Sequence, residues 1–176
     1  MKRILVAVSL SAALGACATV PPPPPPPVEA AAPAPAFRAA DFAWSAARGS
    51  GAVAGAIAYA PGGGARYRCS GQPVVLTPDT PYSRWRIAQL YGSSERAAVP
   101  VAAVRSRQAA RPSDDYSSFV RRASCDETGR FTFTGLPAGG WFIIAVAQPG
   151  VPGAEPVALM RHIQTRAGAV RQVVID

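Results

Sequence analysis

The chain has 176 residues, of which 49% are hydrophobic and 16% are charged, and its formal net charge at neutral pH is +8. After the N-terminal segments described below, about 130 residues are left to fold, which suits one ordinary domain and excludes a second. A charge this basic would suggest nucleic acid as a partner in a cytoplasmic protein, but the export signal described next argues against nucleic acid. Anionic envelope components are the expected counter-charges, unless the arginines only solvate the surface.

The N-terminal segment has the pattern of an export signal. Lys2 and Arg3 form a basic start, Ile4 to Leu14 form an apolar core, and small residues precede Cys17 in the run Leu14-Gly15-Ala16-Cys17. About 13 apolar residues fall short of the roughly 20 that a membrane-spanning helix needs. The pattern therefore predicts a cleaved signal and not a transmembrane anchor.

This run resembles the lipidation site of a bacterial lipoprotein. The resemblance implies that residues 1–16 are removed, that the Cys17 sulfur carries a diacylglyceryl group, and that its new amine carries a further acyl chain. Two or three chains hold a protein to a bilayer almost permanently. Ala18 follows the cysteine, and by the family rule this places the protein in the bacterial cell envelope, at the outer membrane facing the periplasm.

Residues 17–48 are expected to form a linker. Pro21 to Pro27 is an unbroken run of seven prolines, which would extend for roughly 20 Å as polyproline II and hold the domain away from the membrane. Phe37 to Ala47 has two readings, a short helix that packs back on the domain or a continuation of the tether. The folded domain is expected over residues 49–176.

From Gly51 onward, short apolar runs alternate with glycine and proline, which is typical of an all-β domain. We expect a first strand up to Tyr59, with Gly55 marking a bulge or a close approach of the backbone. A turn at Pro61 to Gly64 follows. The next extended pieces are expected at Tyr67 to Cys69 and Pro73 to Thr77.

One short helix is expected to interrupt the strands, between Thr80 and Tyr91. Thr80 suits the N-cap, Pro81 the first helical position and Gly92 the C-terminal stop. Tyr82, Trp85 and Ala88 fall three residues apart, so this stripe is expected to pack on the sheet. Alternatively, Tyr82, Trp85 and Tyr91 could bind a ligand such as a sugar.

Residues 93–115 are predicted to form a long surface excursion, with a strand at Val99 to Val104. Loops of this length are often functional. Arginines concentrate here and just beyond, and we take five of them as candidate partner-binding residues for an anionic surface: Arg105, Arg107, Arg111, Arg121 and Arg122.

The C-terminal half predicts the remaining strands. Asp126 to Gly129 can close a hairpin, after which Phe131 and Phe133 point to one side of a strand. Trp141 to Ala147 is apolar on both faces and should be central. Two further strands are expected at Val157 to Gln164 and Val170 to Ile175, the last of them inside the sheet.

Residues 126–141 carry a D-x-x-G-x-F-x-F-x-G-L-P-x-G-x-(aromatic) run. This run resembles the carboxypeptidase regulatory-like domain, and the likeness covers about residues 50–176. The resemblance implies a transthyretin-like (prealbumin-like) seven-stranded β-sandwich, here with the short helix inserted. It also implies a non-catalytic module that supports folding, binds partners or accompanies an enzyme.

Cysteine usage agrees with export, because Cys69 and Cys125 remain as an even pair once Cys17 is lipidated. We predict that they form a disulfide. The alternative is a zinc site in which they join His162, but a fourth ligand and closely spaced cysteine pairs are missing. No metal and no other cofactor is expected.

The chain offers few side chains that could serve as a catalytic nucleophile or base. His162 is the only histidine, and no G-x-S-x-G motif supplies a serine for it. We therefore expect a non-catalytic binding or structural module whose partner is an envelope protein, a lipid headgroup or a glycan. The alternative is a small periplasmic hydrolase or metal-dependent enzyme that uses His162.

Overall fold

The computed structural model describes residues 33–109, 116–151 and 153–176. The predicted signal, Cys17, the proline run and Arg111 lie outside these ranges. A compact unit runs from Pro33 to Asp176. Its described residues are mostly β, with nine strands in two sheets, as expected of an all-β sandwich.

The strands and helices follow one another along the chain with these bounds. The first half contains α1 (Ala39–Phe42), a 3-10 turn (Ala43–Ala46), β1 (Gly51–Ile57), a 3-10 turn (Pro61–Gly63), β2 (Tyr67–Arg68), β3 (Pro73–Pro78) and α2 (Pro81–Tyr91). The second half contains β4 (Arg96–Pro100), α3 (Val101–Ala109), a 3-10 turn (Ser117–Phe119), β5 (Arg121–Ser124), β6 (Arg130–Leu136), β7 (Gly139–Pro149), β8 (Val157–Thr165) and β9 (Val170–Ile175).

The smaller sheet has the order β6-β1-β9, and the larger has the order β4-β8-β7-β3-β5 with β2 paired to one end of β7. The prediction of seven strands was too low, because the segment between β3 and β6 supplies β4, which pairs with β8, and β5, which pairs with β3. β7 is central, as predicted. β9 runs parallel to β1 and forms an edge of the smaller sheet. It was expected to lie inside the sheet.

The strand β7 is buried on both faces, which explains its unbroken apolar sequence. Trp141 and Ile143 belong to the core between the sheets. Phe142 faces the other way and packs with Ile87 and Met160 under α2. The larger sheet is therefore the middle layer of the fold, with the small sheet on one side and helices on the other.

The predicted ends of α2 are confirmed. Thr80 Oγ1 accepts a hydrogen bond from Ser83 N at 3.1 Å, Ser83 Oγ accepts one from Thr80 N at 2.8 Å, and Pro81 begins the helix. Gly92 ends it with φ of 76°, which a glycine adopts without steric cost. These local signals determine where the helix begins and ends.

The predicted packing stripe of α2 is only partly correct, because Tyr82 is buried but its ring packs against those of Phe42 and Tyr116. Ile87, Leu90 and Tyr91 contact the sheet, whereas Trp85 is only half-buried. The helix is oriented so that these side chains pack against Phe142 of β7 and Met160 of β8.

The segment after α2 also differs from the prediction of a surface loop with a strand at residues 99–104. The strand β4 ends at Pro100, and the second helix, α3, begins at Val101, whose N–H donates to Pro156 O at 2.9 Å. Val101 and Val104 pack against the apolar cluster under α2. That contact stabilises a helix where the sequence favoured a strand.

The segment before β1 packs on the domain, as the first of its two predicted alternatives states, and does not continue the tether. Phe42 is fully buried, and its ring centroid lies 5.2 Å from that of Phe119. Trp44 packs edge-on against Trp141 with a centroid distance of 5.0 Å. Part of the predicted linker therefore belongs to the compact unit, which begins before residue 49.

Candidate ligand-binding groove

Two tyrosines face each other across the turn between β1 and β2. The chain leaves β1, passes Tyr59, reverses through the 3-10 turn at Pro61–Gly63 and enters β2 at Tyr67. Tyr67 N donates to Tyr59 O at 3.0 Å, and the two rings meet edge-to-face with centroids 5.3 Å apart. Both rings are half-buried, so each keeps part of its surface exposed to solvent.

The hairpin between β5 and β6 forms the opposite wall. Ile57 N donates to Gly129 O at 3.1 Å, and Ser70 Oγ donates to Glu127 O at 3.1 Å. The predicted disulfide between Cys69 and Cys125 is confirmed, with Cα atoms 5.6 Å apart. The bridge lies directly behind the groove and joins the chain after β2 to the start of the hairpin.

Asp126 organises this hairpin. Its Oδ1 accepts hydrogen bonds from Arg130 N at 2.9 Å, Thr128 Oγ1 at 2.7 Å and Thr128 N at 2.9 Å. The bond from the Arg130 backbone, followed by that from the Thr128 side chain, holds the pKa of Asp126 below its ordinary value. Gly129, with φ of 78°, completes the turn. Asp126 therefore acts on the hairpin and not on a ligand.

Between these walls lies a groove of about 600 Å³, within the size range of small-molecule sites. Its lining combines aromatic rings, hydroxyls, backbone groups and charged side chains: Ala58, Tyr59, Ala60, Arg66, Tyr67, Arg68, Ser70, Glu127, Thr128 and Gly129. Such a lining can pack against a flat apolar face and hydrogen-bond a polar rim. Chemically, it is suited to reversible binding.

This tyrosine pair was not predicted from the sequence. The available signal was one tyrosine on each side of the turn at Pro61 to Gly64, which brings its flanks together. The row proposed instead, of Tyr82, Trp85 and Tyr91, is not a binding surface, because Tyr82 and Tyr91 are only 2% and 8% exposed. Burial, helped by Tyr116, raises the pKa of Tyr91 far above its ordinary value.

His162 belongs to a polar cluster outside this groove. Its Nε2 lies 2.8 Å from Asp79 Oδ2 and its Nδ1 lies 3.8 Å from Glu95 Oε2, so both ring nitrogens face carboxylates. Arg84 also pairs with Asp79, and the Phe142 ring lies 5.0 Å from the imidazole, centroid to centroid. The cluster ties β8 to the ends of β3 and the start of β4.

His162 also lines a smaller groove of about 480 Å³. The other lining residues are Ile163, Gln164, Arg166, Ala169, Val170 and Arg171, and this set contains no serine, threonine, cysteine or carboxylate. This lining therefore offers the imidazole no side-chain nucleophile. The zinc reading is wrong, because both cysteines are in the disulfide; across the described part of the chain, no three His, Cys, Asp and Glu side chains are placed to hold a metal ion.

The four candidate arginines that the structure describes lie on two different elements, α3 and β5. Arg105 and Arg107 lie on α3, and Arg107 donates to Leu90 O. Arg121 on β5 turns inward, donating to Ser45 O at 2.9 Å and lying 5.9 Å from the Trp141 ring centroid. Arg122 is exposed on the same strand, and Arg111 lies outside the described residues. The role of Arg121 visible in the structure is to hold the segment before β1.

Comparison with known proteins identifies a fold relative. No family model and no curated protein matches the chain. A crystal structure of a candidate carbohydrate-binding protein from Pseudomonas aeruginosa does match, with a TM-score of 0.57 and 21% sequence identity over 81% of this chain and 99% of that one. The likeness shows that the two chains share a fold. In the part of this chain that the structure describes, no helix has the length and apolar character needed to cross a membrane.

Proposed function

We propose that this chain is a lipid-anchored bacterial envelope protein whose β-sandwich binds a saccharide, without transforming it, in the groove between the tyrosine pair and the β5–β6 hairpin. The observation that carries the proposal is the pair itself, in which Tyr59 and Tyr67 present two partly exposed rings beside polar groups. A sugar ring has an apolar C–H face and a rim of hydroxyls. Aromatic surfaces pack against the face, and hydrogen-bonding groups recognise the rim.

The polar groups needed for the rim are present. Thr128 and Ser70 each donate their hydroxyl proton within the protein, so their oxygens can accept hydrogen bonds from a ligand, and Glu127 supplies an exposed carboxylate. The walls are held in place by the disulfide and by backbone hydrogen bonds, so little ordering is required on binding. The naming of the Pseudomonas relative as a candidate carbohydrate-binding protein agrees with this choice of ligand.

The absence of catalysis is part of the proposal. The groove lining contains no histidine and no cysteine, and its one carboxylate belongs to Glu127. Hydrolysis of a glycosidic bond ordinarily needs two carboxyl groups that flank the bond. The hydrolase alternative would need His162 as its base. This residue does not line the groove, and both of its ring nitrogens face carboxylates.

The envelope anchor rests on the sequence. The apolar segment that ends at Cys17 supports cleavage and acylation, and the proline run supports a stalk of roughly 20 Å. The assignment of the domain to the carboxypeptidase regulatory-like family stands as part of the same proposal and rests on the run at residues 126–141.

The binding test uses the full mature protein in a detergent without a sugar headgroup. Calorimetric titration with a panel of neutral oligosaccharides should find a ligand, and Tyr59→Ala and Tyr67→Ala should each weaken its binding about tenfold, because a packed ring is lost. Tyr59→Phe and Tyr67→Phe are the matched controls, since they keep the ring, and they should lose little. Alanine variants that bind as well as the wild type would refute the assignment of the saccharide site to this groove.

The anchor is tested separately. The intact mass of the protein from bacterial membranes should show residues 1–16 removed and acyl chains added, and Cys17→Ser should leave the membrane fraction. An unacylated protein with an intact Cys17 would contradict the lipoprotein assignment. The binding proposal would be unaffected.

A further inference from the structure

Two arginines beside the tyrosine pair form no ion pair with any acidic residue that the structure describes. Arg66 and Arg68 flank Tyr67, are exposed and line the groove. Other arginines of the domain do pair with aspartates: Arg38 with Asp41, Arg84 with Asp79, and Arg161 with Asp176.

The charge of the groove is therefore positive. Its two arginines are opposed by a single carboxylate, that of Glu127. The neighbouring acid, Asp126, is not among the residues that line the groove, and its Oδ1 accepts three hydrogen bonds within its own hairpin. A guanidinium group presents paired N–H donors that match the geometry of carboxylate and phosphate groups.

The backbone that carries these arginines is fixed. Gly150 N donates to Arg66 O at 3.0 Å, Arg68 pairs with Gln148 in the ladder between β2 and β7, and the next residue, Cys69, is held by the disulfide. Two cationic side chains thus start from a fixed backbone beside two aromatic rings. A backbone that is already fixed lowers the cost of binding, which is then limited to ordering the side chains.

We infer that the groove selects acidic saccharides, an inference that rests on the proposed function. The sugar ring packs against Tyr59 and Tyr67, and a carboxylate or phosphate group on the sugar accepts hydrogen bonds from Arg66 and Arg68. Charged hydrogen bonds of this type are about twice as strong as neutral ones. They add selectivity to the contact that the rings supply.

The test compares four probes in two matched pairs, one neutral and one acidic in each: galactotriose with the galacturonic acid trisaccharide, and galactose with galactose 6-phosphate. The wild-type protein should bind at least one acidic probe about tenfold more tightly than its neutral counterpart, galactotriose for the acid and galactose for the phosphate. The preference should shrink as salt is added, because exposed charges are screened. The two acidic arms show whether carboxylate or phosphate is preferred.

The matched variants remove equal charge from two places. Arg66→Ala combined with Arg68→Ala should bring the acidic-to-neutral affinity ratio close to one. Arg166→Ala combined with Arg171→Ala removes the same charge from exposed positions outside the groove and should keep the ratio. Thermal unfolding of each double variant verifies that the domain is folded.

The outcomes separate the inference from the function beneath it. Equal affinity of the wild type for neutral and acidic probes overturns acid selectivity and leaves saccharide binding standing. An equal fall in the ratio in both double variants also overturns it, because net charge alone would then explain the preference. Failure of all saccharides to bind overturns both.

Discussion

The ring of Phe131 lies directly over Gly55, so that a Cβ on residue 55 would come within 2.1 Å of Phe131 Cζ. The two residues are register partners on β6 and β1, and the ring belongs to the core between the sheets. The small sheet can accommodate Phe131 only because its central strand has no side chain at that position.

Gly55→Ala should therefore lower the free energy of unfolding by about 1–3 kcal/mol, because the added methyl group overpacks the core. Strand propensity alone predicts the opposite sign, since glycine weakens a strand. Chemical denaturation measures the effect. Phe131→Leu in the same chain should recover part of the loss, and a strictly additive double variant would contradict the contact.

Phe42→Ala tests whether the segment before β1 is part of the domain. The side chain is fully buried, so its removal should cost about 3–5 kcal/mol of unfolding free energy. Arg38→Ala is the control, because it removes only an ion pair whose arginine side chain is 71% exposed and should change little. If the two variants were equally stable, the segment would be a tether.

Reduction of the Cys69–Cys125 bridge should lower both stability and ligand binding. The bridge closes a loop with a sequence separation of 56 residues, which favours the folded state by about 4 kcal/mol in the chain-entropy model. Denaturation and saccharide titration, each with and without reductant, measure the two effects. The Cys69→Ser/Cys125→Ser variant should not respond to reductant; a response would assign the effect elsewhere.

Asp126 should make the stability of the hairpin sensitive to acid. Its pKa is lower in the folded chain than in the unfolded chain, so its stabilising contribution is complete above the unfolded value, about 4, and is lost as the pH falls through the folded value. Asp126→Ala should flatten the denaturation profile in that acid range. Glu127→Ala, which removes the neighbouring exposed carboxylate, is the control and should keep the wild-type slope.

His162→Ala should destabilise the domain and leave saccharide binding intact. Its Nε2 contact with Asp79 links β8 to the end of β3, and loss of such a partner costs about 1–3 kcal/mol. Unfolding and titration are measured on the same sample. Gln164→Ala, at an exposed position on the same strand, is the control. Loss of a hydrolytic activity with unchanged stability would instead favour the enzyme alternative.

Signals within one stretch of chain determined most of the local structure. Thr80 and Gly92 delimit α2 because a cap depends only on neighbouring backbone groups. The apolar run from Trp141 predicted a central strand for a similarly local reason. The even number of cysteines left after Cys17 was enough to predict the pair Cys69 and Cys125.

Errors arose where distant residues decide the outcome. The helix α3 replaces a predicted strand because Val101 and Val104 find an apolar surface under α2. Arg121 was taken as a surface residue, but the carbonyl oxygen of Ser45, far away in the sequence, accepts its hydrogen bond. Neither partner can be identified from the residues beside it.

By itself, the sequence determined the all-β character, the ends of α2 and the disulfide pair, because periodicity, caps and cysteine count are properties of short segments. Only the tertiary structure decided that Tyr59 and Tyr67 share a groove with Glu127 and that His162 is enclosed by carboxylates. The physical reason is that a site is formed by side chains brought together from distant strands, and the register that aligns them depends on the packing of the whole core.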